Sequence, residues 1–248
     1  MSNELIFILQ TVVGLAFTLV AFRMGRSWLY GYIAVCIVLA NIFVTKQIIL
    51  FGIAATGGNV VYGAVFLATD LLGEHYGKKE ARQAVFIGFF SAVFYTVMSQ
   101  MILGLKASAE DWGASAGMVD IFSTAPAIIV ASLVAYLVSQ LHDIWAFHTI
   151  REKTSGKFLW LRNNGSTWIS QFIDSIVFSL LAFLILPTLM GSENALPYYV
   201  VMEIVISTYL LKILVAAIDT PFLYFSYYVK PVGAVSYTHL TLPTNREV

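Results

Sequence analysis

The chain has 248 residues, of which 59% are hydrophobic and 11% charged, with 14 basic against 14 acidic side chains. A soluble domain carries about a quarter charged residues and needs that polar surface in water, which excludes a soluble fold here. The balanced charge names no acidic or basic partner, no long basic run points to nucleic acid, and the one cysteine, Cys36, admits no internal disulfide and no cysteine metal site.

Seven apolar segments follow in order, at 5–22, 28–50, 54–72, 84–105, 124–147, 166–188 and 198–228. Each is long enough to cross ~30 Å of hydrocarbon as a helix rising ~1.5 Å per residue. The pattern predicts an all-α polytopic membrane bundle of about seven transmembrane helices, a single domain over residues 1–235. The first segment reads as a retained helix rather than a cleaved leader. Glu4 precedes it and Arg23 and Arg26 follow it, the reverse of a signal peptide.

The loops alternate in charge. Arg23 and Arg26 lie in the first, Lys78, Lys79 and Arg82 in the third, and Arg151, Lys153, Lys157 and Arg162 in the fifth. The second is uncharged, the fourth sets Lys106 against Glu110, Asp111 and Asp120, the sixth holds Glu193, and Lys230 follows the last segment. The positive-inside rule then puts the odd loops in the cytoplasm of a bacterial inner membrane, with the N-terminus outside and the C-terminus inside. Trp28, Tyr30, Trp112, Trp145, Trp160, Trp168, Tyr198, Tyr199, Tyr227 and Tyr228 fall near segment ends, where amphipathic rings favour the headgroup level. Ser236–Val248 is polar and threonine-rich, reads as a translated adapter, and is set aside as a non-native tail.

Polar side chains at bilayer depth are costly and need a reason. Asn41, Thr45, Lys46 and Gln47 end the second segment, and Asn41 is too deep to snorkel. Asp70 and Glu74 share a helix face at i, i+4 and precede the basic cluster. Gln140 and Asp143, and again Gln171 and Asp174, pair an amide with a carboxylate at i, i+3. Lys212 sits near the middle of the last segment, with Asp174 as its first candidate partner, and Asp219-Thr220-Pro221 follows. These side chains come from five segments and can converge only on an interior cavity, one suited to a small, planar, polar solute. Asn41, Lys46, Gln47, Gln171, Asp174 and Lys212 are expected to bind it, with Asp70, Glu74, Gln140 and Asp143 gating or coupling. Each has a plainer reading as a helix-packing hydrogen bond, a structural ion pair or an interfacial anchor.

There is no phosphate-binding glycine loop, no metal-ligand spacing of the four histidines, and no nucleophile elbow. No catalytic group, cofactor or metal is expected. Asn164-Gly165-Ser166 reads as a loop leading into a helix capped by Ser166 or Thr167.

Several stretches resemble the vitamin uptake transporter family. They are Ala40-Asn41-Ile42 with Thr45-Lys46-Gln47; Phe66-Leu67-Ala68-Thr69-Asp70-Leu71 with its basic follow-on; Ala131–Tyr136 with Gln140 and Asp143; Ser166-Thr167 with Asp174; and Leu211-Lys212. The resemblance covers roughly residues 28–230. It implies a six-helix membrane core, here with one helix added in front, that imports a 7-deazaguanine such as preQ0 or preQ1 for salvage into transfer-RNA queuosine. It implies Asp174 on the donor edge of that heterocycle, with Gln171 and Asn41 beside it. A substrate-binding subunit of an energy-coupling-factor transporter is the alternative, so energising partner subunits or a coupling cation remain open. An intramembrane enzyme or a membrane scaffold would need, respectively, a reactive constellation or deep polar residues that serve only packing.

Overall fold

Hydrocarbon offers no partner for a backbone N–H or C=O, so a spanning chain must satisfy them within itself. The computed structural model describes residues 1–123, 126–191, 195–229 and 231, and among them helices dominate. They are α1 (Asn3–Met24), α2 (Arg26–Phe43), α3 (Gly58–His75), α4 (Lys78–Leu103), α5 (Ala114–Phe122), α6 (Pro126–Lys153), α7 (Leu159–Leu180), α8 (Leu186–Leu189) and α9 (Tyr198–Phe225). Two strands, β1 (Gln47–Leu50) and β2 (Ile53–Thr56), form a hairpin between α2 and α3.

Among the described residues, six helices are long and apolar enough to cross a membrane: α1, α2, α4, α6, α7 with its continuation to Leu189, and α9. The third expected segment, α3, is different. Every residue from Ala64 to Leu72 is buried, Asp70 included, so the helix is enclosed on all faces. Helices α1, α2, α4, α6 and α9 pack around it. Enclosure explains its composition: it tolerates Asn59, Asp70 and Glu74 because protein, not lipid, surrounds it.

Glycine makes the two tightest corners. Gly25 (φ 109°) alone separates α1 from α2, and its N–H closes α1 on the carbonyls of Ala21 and Phe22. Gly77 (φ 98°) turns α3 into α4 in the same way. Such φ values are left-handed and strained for any side chain with a Cβ. Both corners lie at one end of the bundle, where Arg26 pairs with Glu80 at 3.4 Å and Arg151 and Arg162 meet Glu74. The N-terminus lies at the other end, where the Asn3 side chain donates to Ile49 O and Phe51 N–H donates to Glu4. The structure thus gathers arginines from the first and fifth loops at one end, called here the basic end, and the hairpin at the other.

Four expectations need correcting. The second segment, expected over 28–50, leaves the helix at Phe43 and continues as β1. The β-branched run Ile42, Val44, Thr45, Ile48 and Ile49 favours extended backbone, and Phe51 and Gly52, both at positive φ, make a two-residue hairpin turn. The third segment correspondingly starts at Gly58 rather than residue 54. Loop four contains a helix, α5, that its short glycine-bearing sequence did not announce. The sixth segment starts at Leu159 rather than at Ser166, so Asn164-Gly165-Ser166 is helical and not a capped loop. Its polar first turns are helical because Arg162, Asn163 and Asn164 find partners inside the protein.

Beyond α7 the backbone widens into a π-helical turn, Leu181–Ile185, before Pro187. Proline removes a helical donor. The Leu196 N–H, returning from the next connection, donates to Phe183 O at 2.8 Å and takes the place of that donor. Trp28, Trp112, Trp145, Trp160, Trp168, Tyr198 and Tyr199 are exposed on the bundle's outer surface, as interfacial anchors require. Lys230, Glu193 and the tail Ser236–Val248 lie outside the described residues.

Candidate functional site: a polar cavity at mid-bundle

Asp174 lies fifteen residues along α7 and Lys212 fourteen along α9, close to the middle of both spans. The expected pair forms: Lys212 Nζ donates to Asp174 Oδ2, with both side chains largely buried. The carboxylate is further held by Ser139 Oγ of α6 at 3.1 Å and Tyr62 OH of α3 at 3.3 Å, both on Oδ1. The ammonium also stands 5.8 Å from the Tyr62 ring centroid, within cation–π range. One anion is therefore positioned by donors from three helices.

Asp174 and Lys212 line a cavity of about 180 Å³. A cavity of ~150 Å³ accommodates a benzene ring, so the space suits a solute of one or two small rings. Asn41, Asn59, Gln100, Ser132, Ser175 and Thr208 add polar lining, and Tyr62, Tyr95, Phe122 and Phe178 add aromatic faces. The Asn59 amide nitrogen and the Ser175 hydroxyl are buried with no partner and remain available to a ligand. The cavity extends from the ion pair toward Val44 and Thr56 at the hairpin end.

Of the expected binding residues, Asn41, Asp174 and Lys212 meet in this cavity. Asn41 spends one amide hydrogen on Ile37 O at 2.8 Å. Gln171 lies one turn from Asp174 toward the basic end and lines a smaller neighbouring cavity, its Oε1 buried and unpartnered. Lys46 and Gln47 do not join them. Both are exposed at the base of the hairpin, because the helix that would have carried them inward ends at Phe43. Tyr62, Ser139, Asn59 and Ser175 complete the site unforeseen. A tyrosine reads as an interface anchor and a serine as helix filler until the neighbouring helix is known.

The expected gating residues divide into two groups. Glu74 is at the basic end, in a bidentate pair with Arg162: Nη2 to Oε1 at 2.7 Å and Nε to Oε2 at 3.0 Å. Tyr227 OH donates to Oε1 at 2.5 Å, and Arg151 approaches to 3.9 Å. Asp70, Gln140 and Asp143 lie deeper. Gln140 Oε1 accepts from Thr69 at 3.3 Å, while its amide nitrogen, both oxygens of Asp143 and one of Asp70 have no partner. Asp219 is fully buried nearby and accepts from Asn163 Nδ2 at 2.9 Å.

A helical membrane bundle with an enclosed central helix, a mid-membrane ion pair and a ring-sized polar cavity is the architecture of a solute carrier. Residues 56–226 match the family model described as "Putative vitamin uptake transporter". The chain is 36% identical over 226 residues to the "Probable queuosine precursor transporter" of Bacillus subtilis (strain 168), covering 90% of this chain and 94% of the relative. It is 27% identical to the "Queuosine precursor transporter" of Escherichia coli (strain K12) over 77% of this chain and 80% of the relative. It is 31% identical to the "Probable queuosine precursor transporter" of Haemophilus influenzae (strain ATCC 51907 / DSM 11121 / KW20 / Rd) over 54% of each. No solved structure matches significantly. The chain belongs to the vitamin uptake transporter family, a multi-pass membrane transporter and not an enzyme.

Proposed function

We propose that this protein imports a queuosine precursor, a 7-deazaguanine such as preQ0 or preQ1, across the bacterial inner membrane for transfer-RNA salvage. The basic end faces the cytoplasm, and residues 1–235 form the transporting unit. The observation that carries this reading is Asp174, an anion fixed at mid-bundle and facing a cavity of ring-pair size. The names of the relatives support the substrate class.

A deazaguanine presents a ring N–H and an exocyclic amine on one edge and a carbonyl on another. A carboxylate accepts about four hydrogen bonds. Asp174 already takes three, from Lys212, Tyr62 and Ser139. Two donors from the solute must therefore displace at least one of these. The weakest by distance is Tyr62, whose ring then becomes a stacking face. Lys212, freed or shared, serves the carbonyl, and Asn59 and Asn41 supply amide groups along the rim.

The test is queuosine in the transfer RNA of a bacterial strain that neither makes nor imports precursors, expressing residues 1–235 and fed low preQ0 or preQ1. Restored queuosine with this chain, and its loss in Asp174→Asn at equal membrane abundance, is the expected result. No restoration by the correctly inserted chain overturns import of these compounds by this chain alone. Rescue by added energising subunits would then favour the energy-coupling-factor arrangement.

A further inference from the structure

Three carboxylates occupy the bundle between the solute cavity and the basic end: Asp70 on α3, Asp143 on α6 and Asp219 on α9, all at most 3% exposed. Each lies five to ten residues inside the basic end of its helix. Asp143 lies near Asp70 and near Ser166, Thr167 and Ser170 of α7. The hydroxyls of Ser166 and Ser170 are turned to their own helix carbonyls at 3.2 and 2.8 Å, and neither Asp143 oxygen is bonded.

The charged neighbours are already committed. Arg162 is spent on Glu74, and Lys212 on Asp174. Arg151 reaches the Gly73 and Glu74 carbonyls. His142 bonds Ser170 at 2.9 Å, His75 bonds Ser226 at 2.7 Å, and His148 packs beside Gly73. Among the described residues, no lysine or arginine pairs with Asp70, Asp143 or Asp219. Three bare negative charges at this depth would cost far more than the fold can supply, and two adjacent carboxyls do not both ionise. A proton on a carboxyl removes its charge without any further partner.

A second observation joins this cluster to the solute site. A cavity of about 10 Å³ lies between them, lined by Lys212, Tyr62 and Asn59 on one side and by Asp219, Thr167 and Gln171 on the other. That volume is about one water, given two to four polar partners. Four polar atoms of its lining residues qualify: Asn59 Nδ2, Gln171 Oε1, Thr167 Oγ1 and Asp219 Oδ2 are all buried and unpartnered. Thr167 also stands beside Asp143, so the polar path continues into the carboxylates.

We propose that Asp219, Asp70 and Asp143 form a proton-binding relay, linked to the Lys212–Asp174 pair through a one-water cavity, and that protons move inward with the solute. Solute binding disturbs the Lys212–Asp174 pair. The freed ammonium changes the field at Asp219 through the bridging water, which couples solute occupancy to proton occupancy. No bond is made or broken except O–H: a proton enters from the hairpin side and leaves at the basic end. The coupling rests on the transport reading, but the proton site itself does not depend on which heterocycle is carried.

The experiment has two arms on purified full-length protein in liposomes. Infrared difference spectra in water and deuterium oxide read protonated carboxyl C=O bands without any solute. Bands at neutral pH that shift with deuterium and weaken in Asp143→Asn and Asp219→Asn are expected. Their absence overturns the relay. The second arm follows labelled preQ1. An inward proton gradient should drive accumulation, and Asp143→Asn should lose roughly tenfold of that accumulation while still exchanging preQ1 at equal concentrations. Accumulation that follows sodium instead, or an Asp143→Asn protein still driven by protons, overturns the coupling. Failure of the wild type to exchange preQ1 at all strikes the substrate reading, and the infrared arm then decides the relay alone.

Discussion

Asp174 is bound by three donors and Lys212 is bound by one anion, so the two cannot be altered independently without consequence. Removing one member of a buried pair leaves the other charged and uncompensated, at a cost of about 3–5 kcal/mol. Lys212→Met should therefore lower the melting temperature in detergent and abolish uptake, and Asp174→Asn should do both as well. The double variant removes both charges with nearly conserved volume. It should recover most of the melting temperature while remaining inactive, because the solute's donor edge then meets no anion. A double variant that transports as well as wild type would make the pair a packing device.

At the scale of elements, α3 and α9 touch through a glycine. A Cβ on Gly63 would stand 2.1 Å from Val215 Cγ1, so the helices approach closely where Tyr62 and Lys212 must meet. Gly63→Ala should cost about 1–3 kcal/mol by overpacking and weaken uptake. Trimming the partner, as Gly63→Ala with Val215→Ala, should restore part of the melting temperature, read by thermal unfolding in detergent; no recovery would mean that the glycine acts elsewhere. That contact was invisible in the sequence, where Gly63 is one small residue in an apolar run. What was legible had a one-dimensional signature. The helical membrane bundle and the Asp174–Lys212 pair both follow from the cost of polar groups in hydrocarbon. The hairpin was not legible, because β-branched apolar residues suit a span and a strand equally and only the Phe51-Gly52 turn separates them. Nor was the helical run 159–165, since Arg162 and Asn163 look like loop residues until Glu74 and Asp219 are placed opposite them. Lys46 and Gln47 failed to join the cavity for the first of these reasons.

Across the whole molecule the two ends are unequal. The main cavity extends toward the hairpin end, while the basic end is closed by two layers. The inner layer joins Asn163 to Asp219 and Asn164 to Thr220, and the outer binds Glu74 to Arg162 and Tyr227. Release of a solute at the basic end requires both layers to part. Arg162 is 3% exposed at its side chain, so in the closed form Glu74 is its ion-pair partner, with the Gly156 and Lys157 carbonyls accepting from Nη1. Glu74→Gln removes that ion pair from the closed form only, because in an open form water solvates the guanidinium. Each ~1.4 kcal/mol lost changes the ratio of the two forms about tenfold. The expected outcome is a shift toward the form open at the basic end, read by maleimide labelling in a Cys36→Ser background. Ala216→Cys, in the small cavity, should label faster from the basic side in Glu74→Gln, and Ser132→Cys, in the main cavity, should label more slowly from the hairpin side. General loosening of the fold would speed both. Opposite changes identify the Glu74–Arg162 pair as the latch of an alternating carrier, and unchanged rates at both positions would leave it a static brace.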